Sequence, residues 1–250
     1  MDDVPTVILR KTSLVDYPGR LAGVLFFPGC NLRCPWCQNR GLVLGERTGE
    51  TGENLISLDD ALDHIARRKK VLGGVVLSGG EPLLYPQLGK IVNDIHDLGL
   101  RVKIDTNGMN PPALHELCKK ETTKPDFIAL DLKLAPERYA ELLPGNGAGP
   151  AGQNPACRDP AKALAESAGL IRSSGITHEY RSLALPNNYF SVKDVEALCP
   201  LVDDSPWYFR SFVPGNCLDS SWDDFEKPAP NAAKLLADRA RELGKNGVGR

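Results

Sequence analysis

Cys30-Asn31-Leu32-Arg33-Cys34-Pro35-Trp36-Cys37 sets three cysteines at C-x₃-C-x₂-C spacing, just after the apolar run Leu21 to Phe27. Three thiolates in one short loop can converge on one metal centre, and soft sulfur selects iron–sulfur clusters or zinc. No fourth cysteine or histidine follows at short range. A closed structural site takes four protein ligands, whereas a site that does chemistry keeps a position open. The count of three points to a centre with one position free, held by a loop that caps a strand.

Working outward from that strand, apolar periods of two and of 3.6 alternate. Upstream, Thr6 to Leu9 and the turn Asp16-Tyr17-Pro18-Gly19 predict a short N-terminal hairpin within residues 1–20. Downstream, residues 40–56 read as a loop. Ser57-x-x-Asp60 then caps a helix carrying Leu58, Ala61, Leu62 and Ile65. Strands are predicted at Val75–Leu77, Leu100–Asp105, Asp126–Leu132, Ile176–Leu185 and Trp207–Val213. Helices between them open at Pro86, Asn110-Pro111, Pro136, Asp159-Pro160 and Ser191. A last amphipathic helix carries Leu236, Ala240 and Leu243, and residues 244–250 read as a frayed tail. About six strands, most followed by a helix, predict an α/β fold: a partial, open (β/α)₆ TIM-like barrel with parallel strands. No boundary divides the chain, so residues 1–250 are expected to form one domain, with a C-terminal helix and tail over 228–250. The Gly/Pro-rich stretch 144–156 reads as a flexible loop that interrupts one βα unit.

Composition narrows the function. The 250 residues are 42% hydrophobic and 25% charged, with a net charge of −2. That balance offers no electrostatic footprint for nucleic acid or an anionic membrane. No apolar run is long enough to span a bilayer, and the acidic start Met1-Asp2-Asp3 is unlike a signal peptide. A cytoplasmic location is expected. The seven cysteines do not make a disulfide framework, and Cys118, Cys157, Cys199 and Cys217 read as idle thiols. His64, His96, His115 and His178 fall on predicted helices or a strand and read as non-catalytic.

Three further motifs fall at strand ends, where parallel β/α folds bind ligands. In Gly79-Gly80-Glu81-Pro82 the glycines let backbone approach a ligand, and Glu81 offers a carboxylate to an amine. In Asp105-Thr106-Asn107-Gly108, Asp105 and Asn107 could hydrogen-bond a ribose. Alone, each of these is also an ordinary turn. In the strand before Asp131-Leu132-Lys133, Phe127, Ala129, Asp131 and Lys133 share one face, and Ile128, Leu130 and Leu132 the other. The strand before it alternates likewise, with Arg101, Lys103 and Asp105 opposite Leu100, Val102 and Ile104. Buried charges must be paired. Asp131 and Lys133 can satisfy each other, or a bound zwitterion can satisfy both.

Together these segments resemble the radical S-adenosylmethionine superfamily, through the cysteine loop with Trp36 before its last cysteine and Gly-Gly-Glu-Pro one βα unit later. More closely, Leu14-Val15-Asp16-Tyr17-Pro18-Gly19-Arg20, Asp-Thr-Asn-Gly, Asp-Leu-Lys and Phe212-Val213-Pro214-Gly215 resemble the activating proteins of anaerobic ribonucleoside-triphosphate reductase, which are glycyl-radical-enzyme activases. The resemblance implies one [4Fe–4S] cluster on Cys30, Cys34 and Cys37, with S-adenosyl-L-methionine on the fourth iron. It places Trp36 near the adenine, Glu81 at the methionine amine, with Gly79 and Gly80 beside it as cofactor-binding residues, and Asp105 and Asn107 near the ribose. Lys133 and Arg181, with Asp131 beside them, fall to the carboxylate; Glu179 is the alternative neighbour of Arg181. It also implies a flavodoxin- or ferredoxin-type electron donor and a glycyl radical enzyme as partner. A one-electron cleavage would yield a 5′-deoxyadenosyl radical that takes hydrogen from a glycine Cα. The chain departs from the family at Gln38, where a histidine is common. Two rival readings remain at this stage: a radical enzyme acting on a small molecule, like 7-carboxy-7-deazaguanine synthase, and a non-catalytic metal-binding protein.

Overall fold

The computed structural model describes residues 5–44, 54–145 and 159–250. The loop expected at 45–53, most of the Gly/Pro stretch 144–156 and the thiol of Cys157 lie outside the described residues. The centre of the fold is a run of six parallel neighbours in chain order: β2 (Ala22–Phe27), β4 (Gly74–Gly79), β5 (Arg101–Thr106), β6 (Phe127–Asp131), β7 (Thr177–Ala184) and β8 (Trp207–Ser211). These are the predicted six strands, each returning through a helical connection. The sheet does not close. At one edge β1 (Thr6–Ser13) lies antiparallel to β2, and β3 (Ile56–Ser57) antiparallel to β1; at the other, β9 (Gly247–Gly249) lies parallel to β8. The described sheet therefore has nine strands, more than the six read from the sequence.

Three expectations are corrected. The hairpin is not contained in residues 1–20: its arms are β1 and β2. Residues 40–56 are not all loop, because Arg40–Leu44 is a short helix, α1, and Ile56–Ser57 is β3. The short helix expected from Pro136 forms as a 3₁₀ helix over Pro136–Leu142. The tail is not frayed, because Trp207 N–H reaches Asn246 O at 2.9 Å and Arg250 N–H reaches Phe209 O at 2.9 Å. Gly247 permits this: a Cβ there would lie 2.4 Å from Ala237 O on α7 (Ala232–Glu242).

The outward strand faces make the core. Val75, Leu77, Val102, Ile104, Ile128 and Leu130 are fully buried and pack with helical residues such as Ile91, Val92 and Ile95 of α3 (Leu88–Asp97). The predicted cap on α2 (Leu58–Arg68) forms, with Ser57 Oγ accepting from Asp60 N–H at 3.1 Å, a bond worth about 1 kcal/mol. The inward faces divide into two zones. Near the strand starts, Tyr17 enters from the Asp-Tyr-Pro-Gly turn and packs with Ala22, Val24 and Val76, its ring 6.0 Å from that of Phe127. Gly74 leaves room for it, since a Cβ there would lie 2.9 Å from the Tyr17 ring. The turn motif thus plugs one end of the barrel. Charged residues take the other end. Among the described residues, no helix is long and apolar enough to cross a membrane.

Candidate active site

A cavity of about 380 Å³ lies at the C-terminal strand ends. Cys30, Cys34, Cys37, Trp36, Gly79, Gly80, Asp105, Asn107, Asp131, Lys133 and Arg181 all line it. Residues as far apart in the chain as Cys30 and Arg181 are thereby gathered by parallel strands, whose ends share one rim. A side lobe of about 200 Å³ shares Trp36, Asp131, Lys133 and Arg181 and adds Arg210.

The cysteine loop is held at both ends by backbone. Glu81 N–H donates to Gly29 O at 2.8 Å, Leu218 N–H to Cys37 O at 2.8 Å and Asp219 N–H to Pro35 O at 3.0 Å. Asn39 Nδ2 donates to Gly79 O at 3.1 Å, which joins this loop to the glycine turn. Gln38 donates to Val213 O, so at the position where the family often has histidine the side chain ties down the segment after β8. None of the six described cysteines is in a disulfide. Burial pushes the Cys30 thiol up to about 12, with the Glu81 carboxylate adding to it, and pushes Cys34 up further. Thiolates here need a cationic partner to form, which suits a metal centre. Among the described residues, no three His, Cys, Asp or Glu side chains converge tightly enough for a single metal ion. A cubane asks for wider spacing, because each thiolate binds its own iron. The donor set fits a [4Fe–4S] cluster.

Beside the cysteines runs a row of alternating charge. Lys103 bonds Asp105; Arg181 Nη1 lies 3.2 Å from Asp105 and its Nε donates to Asp131 at 2.7 Å; Lys133 Nζ donates to Asp131 at 3.1 Å. Strand register makes this possible, since Asp131 lies directly opposite Arg181. Burial opposes the charge on Asp131, yet the Arg181 and Lys133 charges outweigh it and hold its carboxyl well below the usual range. Burial likewise opposes the charge on Lys133, but Asp131 holds it protonated. Three cations and two carboxylates alternate along these contacts, and the Glu179 carboxylate, buried on the same strand face, adds its field at Arg181. Ser78 Oγ donates to Asp105 at 3.2 Å. The Asp131–Lys133 ion pair therefore forms within a larger network open to a ligand. Arg181 pairs across strands and not with Glu179 in its own strand.

Two residues stand differently from expectation. Glu81 is fully buried and does not line the cavity. Its carboxylate accepts from Leu83 N–H at 3.1 Å, Thr106 Oγ1 at 2.7 Å and Asn107 N–H at 2.8 Å, riveting the glycine turn to the end of β5. Asn107 is 4% exposed and its amide points at Asn31 and Cys30. The sequence put Lys103 on an inward strand face without giving it a role, and did not single out Ser78, Asn31 or Asn39. The period-two alternation of β5 was a signal for Lys103; nothing local marked the others. Trp36 lines the cavity and packs against Tyr189 and Trp222, ring centroids 5.7 and 5.3 Å away.

Burial raises Glu81 from 4.5 to about 7 despite three hydrogen bonds that favour the ion. Between those values the native state holds a proton that the unfolded chain has lost. The group's stabilisation is therefore complete below about 4.5 and disappears as pH rises to about 7, a change on the order of 3 kcal/mol. Urea unfolding of the metal-free protein should show wild type losing stability relative to Glu81→Gln over that window. A pH-independent difference would contradict it.

A family model described as the radical SAM superfamily matches residues 24–186. A Methanocaldococcus jannaschii protein with the provisional name glycyl-radical enzyme activating enzyme is 29% identical over 93% of this chain and 87% of its own. The pyruvate formate-lyase-activating enzyme of Clostridium pasteurianum is 31% identical over 56% of each chain. The 7-carboxy-7-deazaguanine synthase of Hyperthermus butylicus is 41% identical, over 35% of each. The crystal structure of QueE from Escherichia coli superposes with a TM-score of 0.56 at 17% identity, over 99% of this chain and 95% of that one, a likeness of fold.

Proposed function

The chain belongs to the radical SAM superfamily, and from that premise we propose that it activates a glycyl radical enzyme, anaerobic ribonucleoside-triphosphate reductase being the partner its motifs favour. A [4Fe–4S] cluster and S-adenosylmethionine are its cofactors. When bound, they supply a one-electron cleavage and an organic radical that takes one hydrogen atom. The chain's own residues bind, orient and shield. Cys30, Cys34 and Cys37 would hold the cluster. Lys133, at the free end of the charge row, receives the methionine carboxylate, with Arg181 behind it. Gly79 and Gly80 leave the amine room against backbone, and Glu81 fixes that turn from behind. Asp105, anchored by Lys103 and Arg181, accepts from the ribose. Trp36 and its aromatic neighbours keep water from the radical. A flavodoxin- or ferredoxin-type protein supplies the electron.

The observation that carries the reading is the single cavity lined by three cysteines outside any disulfide and by the charged groups Asp105, Asp131, Lys133 and Arg181. Similarity to the M. jannaschii protein along nearly the whole chain supports the macromolecular substrate. The small-molecule alternative has its support in the shorter match to 7-carboxy-7-deazaguanine synthase. Anaerobic incubation with reductant, S-adenosylmethionine and a candidate glycyl radical enzyme should produce a glycyl-radical signal by electron paramagnetic resonance. Cleavage without that signal across candidate partners would favour the small-molecule reading.

Lys133→Ala tests the carboxylate assignment. Asp131 retains Arg181, so the fold and the iron content should persist. Losing a charge-assisted contact costs roughly 1.5–3 kcal/mol, one to two decades of affinity. Equilibrium binding of S-adenosylmethionine to the unreduced protein checks this. Unchanged affinity would leave Lys133 as no more than the partner of Asp131.

A further inference from the structure

Asn107 is held in one orientation by contacts on both sides of its amide. Oδ1 accepts from Met109 N–H at 2.9 Å, and Nδ2 donates to Asn31 Oδ1 at 2.8 Å. A flip would set Oδ1 against Asn31 Oδ1 and the amide hydrogens against Met109 N–H. Its backbone is fixed as well, by the bond from Asn107 N–H to Glu81. Asn31 is fully buried, and its Nδ2 reaches Met109 O at 3.5 Å. In the orientation this imposes, Asn107 Nδ2 lies 3.7 Å from Cys30 Sγ. Leu32 N–H approaches the same sulfur at 3.4 Å. Cys30 thus sits in a nest of two N–H donors, one of them a side chain from a different strand end.

We infer that Asn107 is a positioning residue that sets the reduction potential of the cluster through Cys30. An N–H donor stabilises negative charge on a ligand sulfur, and that charge is greater in the reduced cluster. Donors therefore raise the potential, and removing one lowers it. The role differs from ribose contact, because its effect is felt with no S-adenosylmethionine present. It rests on Cys30 being a cluster ligand.

The test is a redox titration of the reconstituted protein without S-adenosylmethionine, dithionite supplying one electron per cluster, followed by electron paramagnetic resonance. Asn107→Ala should make reduction about tenfold less favourable, a fall of about 59 mV for a one-electron couple. A loaded variant with the wild-type potential overturns the inference. Should the variant not load, wild-type protein labelled with ¹⁵N-asparagine decides. The reduced cluster should show hyperfine coupling to a side-chain amide nitrogen, and its absence overturns the inference. Wild type that assembles no cluster at all overturns the ligand reading itself, which separates the two failures.

Discussion

Cys34→Ser protein is expected to leave anaerobic reconstitution with less than about a tenth of the wild-type iron and sulfide, and to cleave no S-adenosylmethionine. The effect is nearly all-or-none because a three-ligand site has no reserve: two thiolates hold a cubane poorly, and serine offers a hard, weakly acidic oxygen where soft sulfur is required. Cys34 is also buried beside Lys133. The matching control is Cys118→Ser, whose thiol lies on α4 (Pro111–Cys118), away from the cavity, and which should load normally. Iron and sulfide assays with chromatography of the nucleoside product read both outcomes. A fully loaded, active Cys34→Ser protein would refute the ligand assignment.

Gly80→Ala should be the most damaging single methyl in the site. A Cβ on Gly80 would lie 1.9 Å from Gly29 O and 2.6 Å from Gly29 C, both backbone atoms that no rotamer change can move. Gly29 directly precedes Cys30, and its carbonyl accepts from Glu81 N–H, so relief must displace the ligand loop or break that bond. Overpacking of this kind costs roughly 1–3 kcal/mol or more, which lowers the melting temperature of a chain this size by roughly 2–12 °C. Iron loading should fall with it. Gly169→Ala makes the same chemical change on α5 (Pro160–Ser173), with nothing within 4 Å of the new methyl. It should leave melting unchanged or raised, since alanine exceeds glycine in a helix by roughly 0.8–1 kcal/mol. Equal effects from the two substitutions would contradict the close approach seen at Gly80.

The parallel run was readable because each of its strands carries a strong apolar face and each helix a start signal that local chemistry dictates. β9 was not, because Gly-Val-Gly has no strand propensity of its own. It becomes a strand only when α7 and β8 leave a slot that glycine alone can enter. Strand alternation put Lys103, Asp105, Asp131 and Lys133 on inward faces. Their partners depend on register, which brings Arg181 opposite Asp131, whereas sequence proximity suggested Glu179. Glu81 and Asn107 show the limit most clearly. Their motifs placed them at the site, but which way each side chain turns is decided by donors from Leu83, Thr106, Asn31 and Met109, and no spacing rule encodes those contacts. Gln38 is similar: its bond to Val213 joins residues far apart in the chain.

The central claim is that the radical made in this cavity takes its hydrogen from a glycine of a partner protein. The most direct measurement supplies a candidate glycyl radical enzyme made with α-deuterated glycine, together with reduced, reconstituted protein and S-adenosylmethionine. The mass of the 5′-deoxyadenosine formed is then determined. Deuterium carried into that product is the predicted result. Product formed in step with partner activation yet free of deuterium would contradict the account.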